Sequence, residues 1–390
     1  MIRNFLIKYK RIIVLFFASK IILIALLVST YPLLPFSLYD YQVNGYQFFQ
    51  NPGLLEKNIA AYDGQWYLHI ATHGYRNFSD PNLEAASYAF FPLYPLLTKL
   101  VSIITGGNMA LGALFITFVC SFGSTILLYK LIRLEYSELL ARYTTIYFLV
   151  TPSIIFFTAT YTEALFFMLT AGAWYLVRTN RWWWSAPLAY LAALTRPQGV
   201  FLFIPFVVEY VFSVGKSAEP LKKKILKGVS LLGAPLGLLT YYTFLYFETG
   251  NFFTHLITNQ ERWGRKVPDF FQIVQFVIDR VLHVASFPFH DFHYSQLDTI
   301  FLASALALII PMAIRLRPSY TIWALILVTL PLITGTTTSM TRYISLSFPH
   351  YLFLALIGVR YRVFHFVICI ISSGLGLVLA IRFVHWYWAG

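Results

Sequence analysis

Apolar runs about 20 residues long follow one another along most of the chain, and polar positions gather in short stretches between them. A helix needs about 20 mostly apolar residues to cross a bilayer. The pattern predicts spans near Ile12–Leu34, Met109–Ile132, Tyr143–Thr158, Glu163–Val177, Trp182–Leu194 and Val200–Val214, then Ile225–Phe247, Leu297–Ile314, Tyr320–Thr334, Ser345–Val359 and Val363–Trp386, about eleven in all. Two long segments break the rhythm, residues 35–108 and 248–296. Inside them, Tyr41–Phe49, Asp63–Ala71 and Phe270–Ala285 carry apolar residues at helical spacing with polar ones between, the pattern of helices lying in the interface. In SYAFFPLYPLL, Ser87–Leu97, Pro92 and Pro95 predict an interface hairpin whose regular helix starts only after Leu96. No repeat or separable soluble unit breaks the series. The expectation is an all-α polytopic membrane protein forming a single domain over residues 1–390.

Charge orients the bundle. The stretches RNFLIKYKR, Lys130–Arg142, Arg178–Arg181, Lys222–Lys227, Arg315–Arg317 and Arg360–Arg362 all fall on one side when the predicted spans alternate. With a cytoplasmic N-terminus this satisfies the positive-inside bias and puts both long loops on the outer face. The first apolar run is too long and unbroken for a cleaved signal and reads as a retained span. The setting is the plasma membrane in a prokaryote or the endoplasmic reticulum in a eukaryote.

Composition agrees. The chain is 58% hydrophobic and only 12% charged, too apolar for a soluble domain. Its net charge of +13 is scattered through short loops, which excludes a nucleic-acid surface and suits anionic lipid headgroups. Cys120 and Cys369 lie inside apolar runs and provide neither a disulfide framework nor zinc spacing.

The candidate chemistry sits at the outer ends of spans. Asp63 lies in AAYDGQWYLHIATHGY at the start of an amphipathic segment. Read alone it is equally a helix N-cap or a carboxylate placed to take a proton from an attacking hydroxyl. Glu163 opens a span in YTEALFF; it is either an anion at a helix N-terminus or an acid held inside the bundle for a reason. Arg196 in LTRPQGV and Arg342 in SMTRYISLSFP run against the charge bias. They either snorkel to outer headgroups or build a pocket that holds a phosphate. Arg262, Arg265, Lys266, Arg280, His283, His290 and His293 make the second outer loop basic, and the HDFH run there lacks a trusted metal spacing.

Taken in order, YDGQWYLHIATHGY, AFFPLYP, YTEALFF, LTRPQGV and TRYISLSFP resemble the GPI mannosyltransferase II (PIG-V) family and its microbial relatives, a branch of the GT-C glycosyltransferases. The blocks span most of the chain. The resemblance implies a GT-C-like bundle and an inverting transfer of a hexose, typically mannose, from a polyprenyl-phosphate donor to a lipid-linked or glycan acceptor on the non-cytoplasmic face. It implies Asp63 as the catalytic acid. Matching positions are Tyr62, Gly64, Trp66, His69, Gly74, Tyr75, Glu163, Arg196, Gln198, Arg342 and Tyr343. Trp66, Tyr62 and Tyr75 are expected to wall the sugar. Tyr62 stands where the family usually has Trp, Ser87 and Tyr88 stand where eukaryotic members carry acids, and Arg-Pro-Gln-Gly replaces Arg-Ser-Asn-Gly, departures that point away from the GPI acceptor. A divalent cation between Asp63 and the phosphate stays open, although few carboxylates cluster. A small membrane subunit as partner also stays open. The competing classes are a transporter or lipid flippase, and a non-catalytic subunit of a transferase complex.

Overall fold

Hydrocarbon supplies no partners for backbone N–H and C=O groups, so a chain this apolar closes its hydrogen bonds within helices. The computed structural model describes residues 2–44, 53–76, 78, 80–292 and 295–390, and those residues form helices and no strands. Among them six helices are long and apolar enough to cross a bilayer: Ile7–Leu33, Met109–Glu135, Pro197–Gly215, Leu221–Thr249, Gln296–Arg315 and Arg362–Val384. Five predicted spans are shorter helices of 12 to 16 residues: Glu138–Leu149, Glu163–Arg178, Trp182–Ala193, Pro318–Ile333 and Phe348–Arg360. At 1.5 Å per residue the longest of these reach about 24 Å. The predicted Tyr143–Thr158 span stops as an α-helix at Leu149, and a separate 3₁₀ turn covers Ile154–Phe157. Hydropathy rates a helix packed in protein and one facing lipid alike. Glu163–Arg178 is of the first kind, with Phe166, Phe167, Ala173 and Trp174 at 1% exposure or less.

Helices also form in both long loops. The first holds Leu38–Asn44, Leu54–Ile59, Asp63–His73 and Pro81–Ser87, and the second holds Thr254–Glu261 and Phe270–Leu282. The helix predicted at Tyr41–Phe49 is observed through Asn44, and its remainder, like His293, lies outside the described residues. Phe270–Leu282 opens with a capping box between Asp269 and Gln272 and leaves Phe270, Phe271 and Leu282 exposed.

A helix start is also corrected. The SYAFFPLYPLL helix starts at Leu93 rather than after Leu96. Pro95 falls in the first turn, where the missing N–H would have no intrahelical acceptor. The helix runs to Ser102, and a turn at Gly106 and Gly107, both at positive φ, returns the chain into Met109–Glu135. The two helices pack closely: the Tyr94 hydroxyl lies 2.9 Å from Thr117 Oγ1, and a Cβ at Gly112 would come within 3.1 Å of the Thr98 carbonyl.

Both long loops and the Leu221–Thr249 helix hold the SYAFFP block and the residues just before it. Tyr75 donates to the Phe90 carbonyl at 2.6 Å, and Tyr241 donates to the carbonyls of Tyr88 and Phe90 at 2.9 and 3.0 Å. Trp263 Nε1 donates to the Ala86 carbonyl, Thr258 to that of Ala85, and Arg76 pairs with Glu248. His255 is buried against the Tyr88 carbonyl at 3.1 Å, and burial pushes its pKa down to about 4.

A charge network ties helices together at the basic-loop end. Arg178 pairs with Glu135 at 2.5 Å and with Glu209, and Arg317 pairs with Glu135 at 2.6 Å. Tyr320 donates to Glu135 at 2.8 Å and Ser319 to Glu209 at 2.7 Å. Glu209 is 3% exposed. Removing one partner of a buried pair leaves the other uncompensated, at about 3 kcal/mol. Glu209→Ala should therefore lower the unfolding midpoint in detergent by several degrees. An unchanged midpoint would show that Glu135 alone holds Arg178.

Candidate active site

Asp63 is the first residue of the Asp63–His73 helix. The N-cap position belongs to Tyr62, which makes no side-chain cap. The capping role for Asp63 is thus set aside: its Oδ2 accepts from Arg342 Nη1 at 3.0 Å. Tyr62 has φ +51° and ψ −115°, a region that costs a non-glycine residue about 1–3 kcal/mol and persists only where its surroundings enforce it. They do. Its hydroxyl donates to the Trp386 carbonyl at 2.7 Å, and its ring lies 5.6 Å from that of Trp386 and 5.1 Å from that of Trp388. The strained residue aims the next one, Asp63, away from its own helix.

Gly64 lets this segment press against the neighbouring connection. A Cβ there would meet Thr160 Oγ1 at 2.7 Å and the Tyr161 ring at 3.3 Å. Thr160 donates through both N–H and Oγ1 to the Ile59 carbonyl, and the Tyr161 hydroxyl donates to the Ala61 carbonyl at 2.7 Å. Residues 59–64 are therefore sewn to 160–161, immediately before Glu163.

Glu163 organises the centre. Its Oε1 accepts from Arg342 Nη2 at 2.7 Å and Nε at 2.9 Å, and lies 2.8 Å from Arg196 Nη1. Arg196 also donates to Thr162 Oγ1 at 2.9 Å and to Gln198 Oε1 at 3.3 Å. Glu163 Oε2 is buried without a hydrogen-bond partner. Aromatic rings cushion the cations: Arg342 lies 4.6 Å from the Phe156 centroid and 4.9 Å from Tyr161, and Arg196 lies 5.9 Å from Tyr343. Burial works against the charge on Arg342, but Glu163 and then Asp63 outweigh it and hold the guanidinium well above its ordinary pKa.

Two carboxylates face two guanidiniums, so the cluster is neutral, and exposure separates their tasks. The Glu163 side chain is 0% exposed, Arg342 6% and Arg196 10%, whereas Asp63 is 28% exposed. Asp63 is the member an incoming molecule can reach. Snorkelling is excluded for both arginines, because they point to a buried acid.

The structure thus brings together Asp63, Glu163, Arg196, Gln198, Arg342 and Tyr343, with Tyr62 and Gly64 shaping the approach. It buries Trp66 and Tyr75 instead of leaving them accessible beside Asp63, which corrects their expected place in a sugar wall. Trp66 is 1% exposed and stacks on Phe90 at 5.2 Å, and Tyr75 is spent on the Phe90 carbonyl. Both are large rings on the inner face of the loop fold, where burial gains more than exposure. His69 packs on Phe78 at 4.1 Å and near His73, and Gly74 ends the helix at φ +82°. In the second long loop Arg262 donates to Asn82, Arg280 lies over Phe276, and His290 is buried against Ser295. Phe156, Tyr161, Thr162 and Tyr67 were missed. Thr162 and Tyr161 adjoin Glu163 in YTEALFF, and Tyr67, whose phenol meets Thr162, lies one turn after Asp63. Burial, then the Asp63 charge, raises that phenol above its ordinary pKa.

A resident divalent cation fits this donor set poorly. No group of three or more metal-ligating side chains occurs among the described residues, Asp63 already faces a guanidinium, and Glu163 faces two.

The profile of the mannosyltransferase (PIG-V) family matches residues 47–327. GPI alpha-1,6-mannosyltransferase 2 of Homo sapiens is 26% identical over 210 residues, covering 48% of this chain and 41% of the human protein. The apo oligosaccharyltransferase of Archaeoglobus fulgidus superposes with a TM-score of 0.50 at 13% identity, over 94% of this chain and 56% of that one. That likeness shows the fold, the GT-C-like helical bundle expected from the sequence. ArnT from Cupriavidus metallidurans, solved bound to undecaprenyl phosphate, gives a TM-score of 0.49 at 13% identity, over 83% of this chain and 59% of that one. The chain spans less than two thirds of the length of each of these relatives.

Glu163→Gln keeps the shape but leaves two buried guanidiniums short of a counter-charge. A loss of about 3–5 kcal/mol is expected, read as a lower unfolding midpoint in detergent. A midpoint equal to that of the parent would mean Asp63 alone balances the pair.

Proposed function

The chain belongs to the mannosyltransferase (PIG-V) family, and from that premise we propose that it is a membrane glycosyltransferase that moves a hexose, in first place mannose, from a polyprenyl-phosphate donor to a lipid-linked or glycan hydroxyl. The observation that carries the reading is the Asp63–Arg342 pair: one reachable carboxylate, 3.0 Å from a guanidinium that is itself held by a buried acid.

The roles follow from the chemistry. The acceptor oxygen attacks the anomeric carbon from the face opposite the phosphate. The new C–O bond forms as the old one breaks, its electron pair leaves on the phosphate, and the acceptor proton passes to Asp63. The configuration inverts. Arg342 meets the charge growing on the leaving phosphate, and Arg196 behind it reinforces the positive field. A departing phosphate needs no acid to protonate it, which distinguishes one carboxylate here from the carboxylate pair of glycoside hydrolysis. Donor and Asp63 compete for Arg342. A phosphate that takes the outward Nη1 leaves the Asp63 carboxylate without its cation and free to meet the acceptor hydroxyl. Glu163 keeps its own contacts on Nη2 and Nε and holds the guanidinium in place. No step needs a metal.

The site is assigned to the non-cytoplasmic side of an integral membrane protein. Glu163 starts its helix at the site, and Arg178 ends the same helix in the network beside the basic loops. The two sit at opposite ends, and the positive-inside bias sets which end faces the cytoplasm.

Asp63→Asn should lower transfer by roughly 10²–10⁴-fold with the unfolding midpoint retained. The assay incubates purified protein with radiolabelled mannosyl-phosphoryl-dolichol or its undecaprenyl counterpart plus membrane lipid extract as acceptor source. Transfer within a few-fold of the parent rules out the base role. Arg342→Lys should both raise the donor KM and lower kcat, because a point charge replaces a two-armed clamp on a phosphate whose charge grows as it leaves. An unchanged donor KM would remove the phosphate contact from the scheme.

A further inference from the structure

Arg342 is carried by a six-residue helix, Met340–Ser345, too short to hold a geometry alone. Its start is strained. Ser339, the N-cap, sits at φ +66° and makes no side-chain cap, and the chain reaches it through a turn with Gly335 at φ +72°. Local carbonyls take the N–H groups of Met340 (Thr337) and of Arg342 and Tyr343 (Ser339), and leave the Thr341 N–H to find an acceptor outside the helix.

That acceptor is Asp298. Its Oδ1 accepts the Thr341 N–H at 3.0 Å, one residue before Arg342. Asp298 is 0% exposed, at the third position of Gln296–Arg315, in a helix whose N-cap Ser295 accepts the Asp298 N–H at 3.0 Å. The surroundings brace it from the far side. His290 Nδ1 lies 2.7 Å from Ser295 Oγ, Arg382 Nη2 donates to the His290 carbonyl at 2.8 Å, and Thr338 Oγ1 donates to the Phe292 carbonyl at 3.0 Å. A buried carboxylate turned toward a backbone amide rather than a cation is costly. A hydrophobic residue would pack this contact between two helices more cheaply if packing were all it did. The partial positive charge at the N-terminus of the Arg342 helix offsets part of that cost.

We propose that Asp298 is the positioning residue for Arg342. By capping the Met340–Ser345 helix from a neighbouring helix, it fixes where the guanidinium stands between Asp63 and Glu163. The inference rests on the transferase reading for its kinetic consequence, but its structural half is measurable without turnover. Asp298 touches no reacting atom. It acts through the Thr341 amide, and a misplacement of about 1 Å in a phosphate clamp is enough to cost on the order of 10²-fold in rate.

Four variants test it in the purified full chain: Asp298→Ala, which removes the acceptor; Asp298→Asn, which keeps an acceptor oxygen; Arg342→Ala; and Asp298→Ala combined with Arg342→Ala. Amide hydrogen exchange by mass spectrometry should show peptides containing Thr341 and Arg342 exchanging faster in Asp298→Ala and near the parent rate in Asp298→Asn. Donor kcat/KM should fall by about 10–100-fold in Asp298→Ala and recover most of the way in Asp298→Asn. The double variant should be no worse than Arg342→Ala alone. Unchanged exchange at Thr341–Arg342 in Asp298→Ala overturns the inference whatever the activity. Kinetic losses that multiply in the double variant overturn it too, because Asp298 then acts by another route. If Asp298→Ala does not fold, Asp298→Asn against the parent decides: near-parent exchange and kcat/KM uphold the acceptor role, and a fall of about 10–100-fold in kcat/KM refutes it. A parent that transfers no sugar while exchange behaves as expected counts against the transferase reading and leaves the positioning intact.

Discussion

One oxygen of Glu163 holds two guanidiniums, and the half of the protein around Asp63 is arranged about that contact. A carboxylate removed from water costs several kcal/mol unless cations and hydrogen bonds replace its hydration. Arg196 and Arg342 provide the replacement, and each must then be shielded and aimed. Thr162 and Gln198 take the remaining reach of Arg196, and Phe156 and Tyr161 lie beside Arg342. With the inner acid committed in this way, one arm of Arg342 is left to point outward, and Asp63 meets it there.

Close backbone approach makes the arrangement possible. Gly64 lets residues 59–64 lie directly on 160–161, and Gly199 lets the turn after Arg196 press on the helix before it, where a Cβ would come within 2.4 Å of the Ala192 carbonyl. Either contact, lengthened by a methyl group, would push a charged side chain away from its partner. Tyr62 contributes from the other direction. Its positive φ is held by Trp386 and Trp388, so the segment Trp386–Gly390 takes part in setting the Asp63 loop. Even the last residue is close-packed, since a Cβ at Gly390 would stand 2.6 Å from Arg342 Cδ.

The helix Glu163–Arg178 joins this cluster to a second one. Its first residue lies among the site residues and its last lies between Glu135 and Glu209. Both ends are anchored by ion pairs and the flanks are buried, so the helix is a fixed strut between the two charge networks. Lys20 adds a tie of the same type: within the first span its Nζ donates to the Phe157 carbonyl at 2.9 Å and to Thr158 Oγ1 at 2.7 Å, bracing the turn that carries Phe156. Polar anchors inside an apolar bundle give it specificity that interchangeable aliphatic packing does not.

The sequence by itself determined the helical membrane architecture, a helix within Phe270–Ala285 (observed over Phe270–Leu282) and the identity of the charged residues worth following, because hydropathy and charge are local quantities. It also carried the family's motifs, through which Asp63, Glu163, Arg196 and Arg342 could be named together. Only the tertiary structure decided what those residues do to one another. The lengths of the helices packed inside the bundle, the start of the helix at Leu93, the burial of Trp66 and Tyr75, and the part played by Phe156, Tyr161 and Asp298 all depend on contacts between segments far apart in the chain. Asp298 and Arg342 are 44 residues apart, and Asp63 and Arg342 are 279 apart. No periodicity reports such distances. They are set by which small residues permit close approach and by the need of each buried charge to find its counterpart.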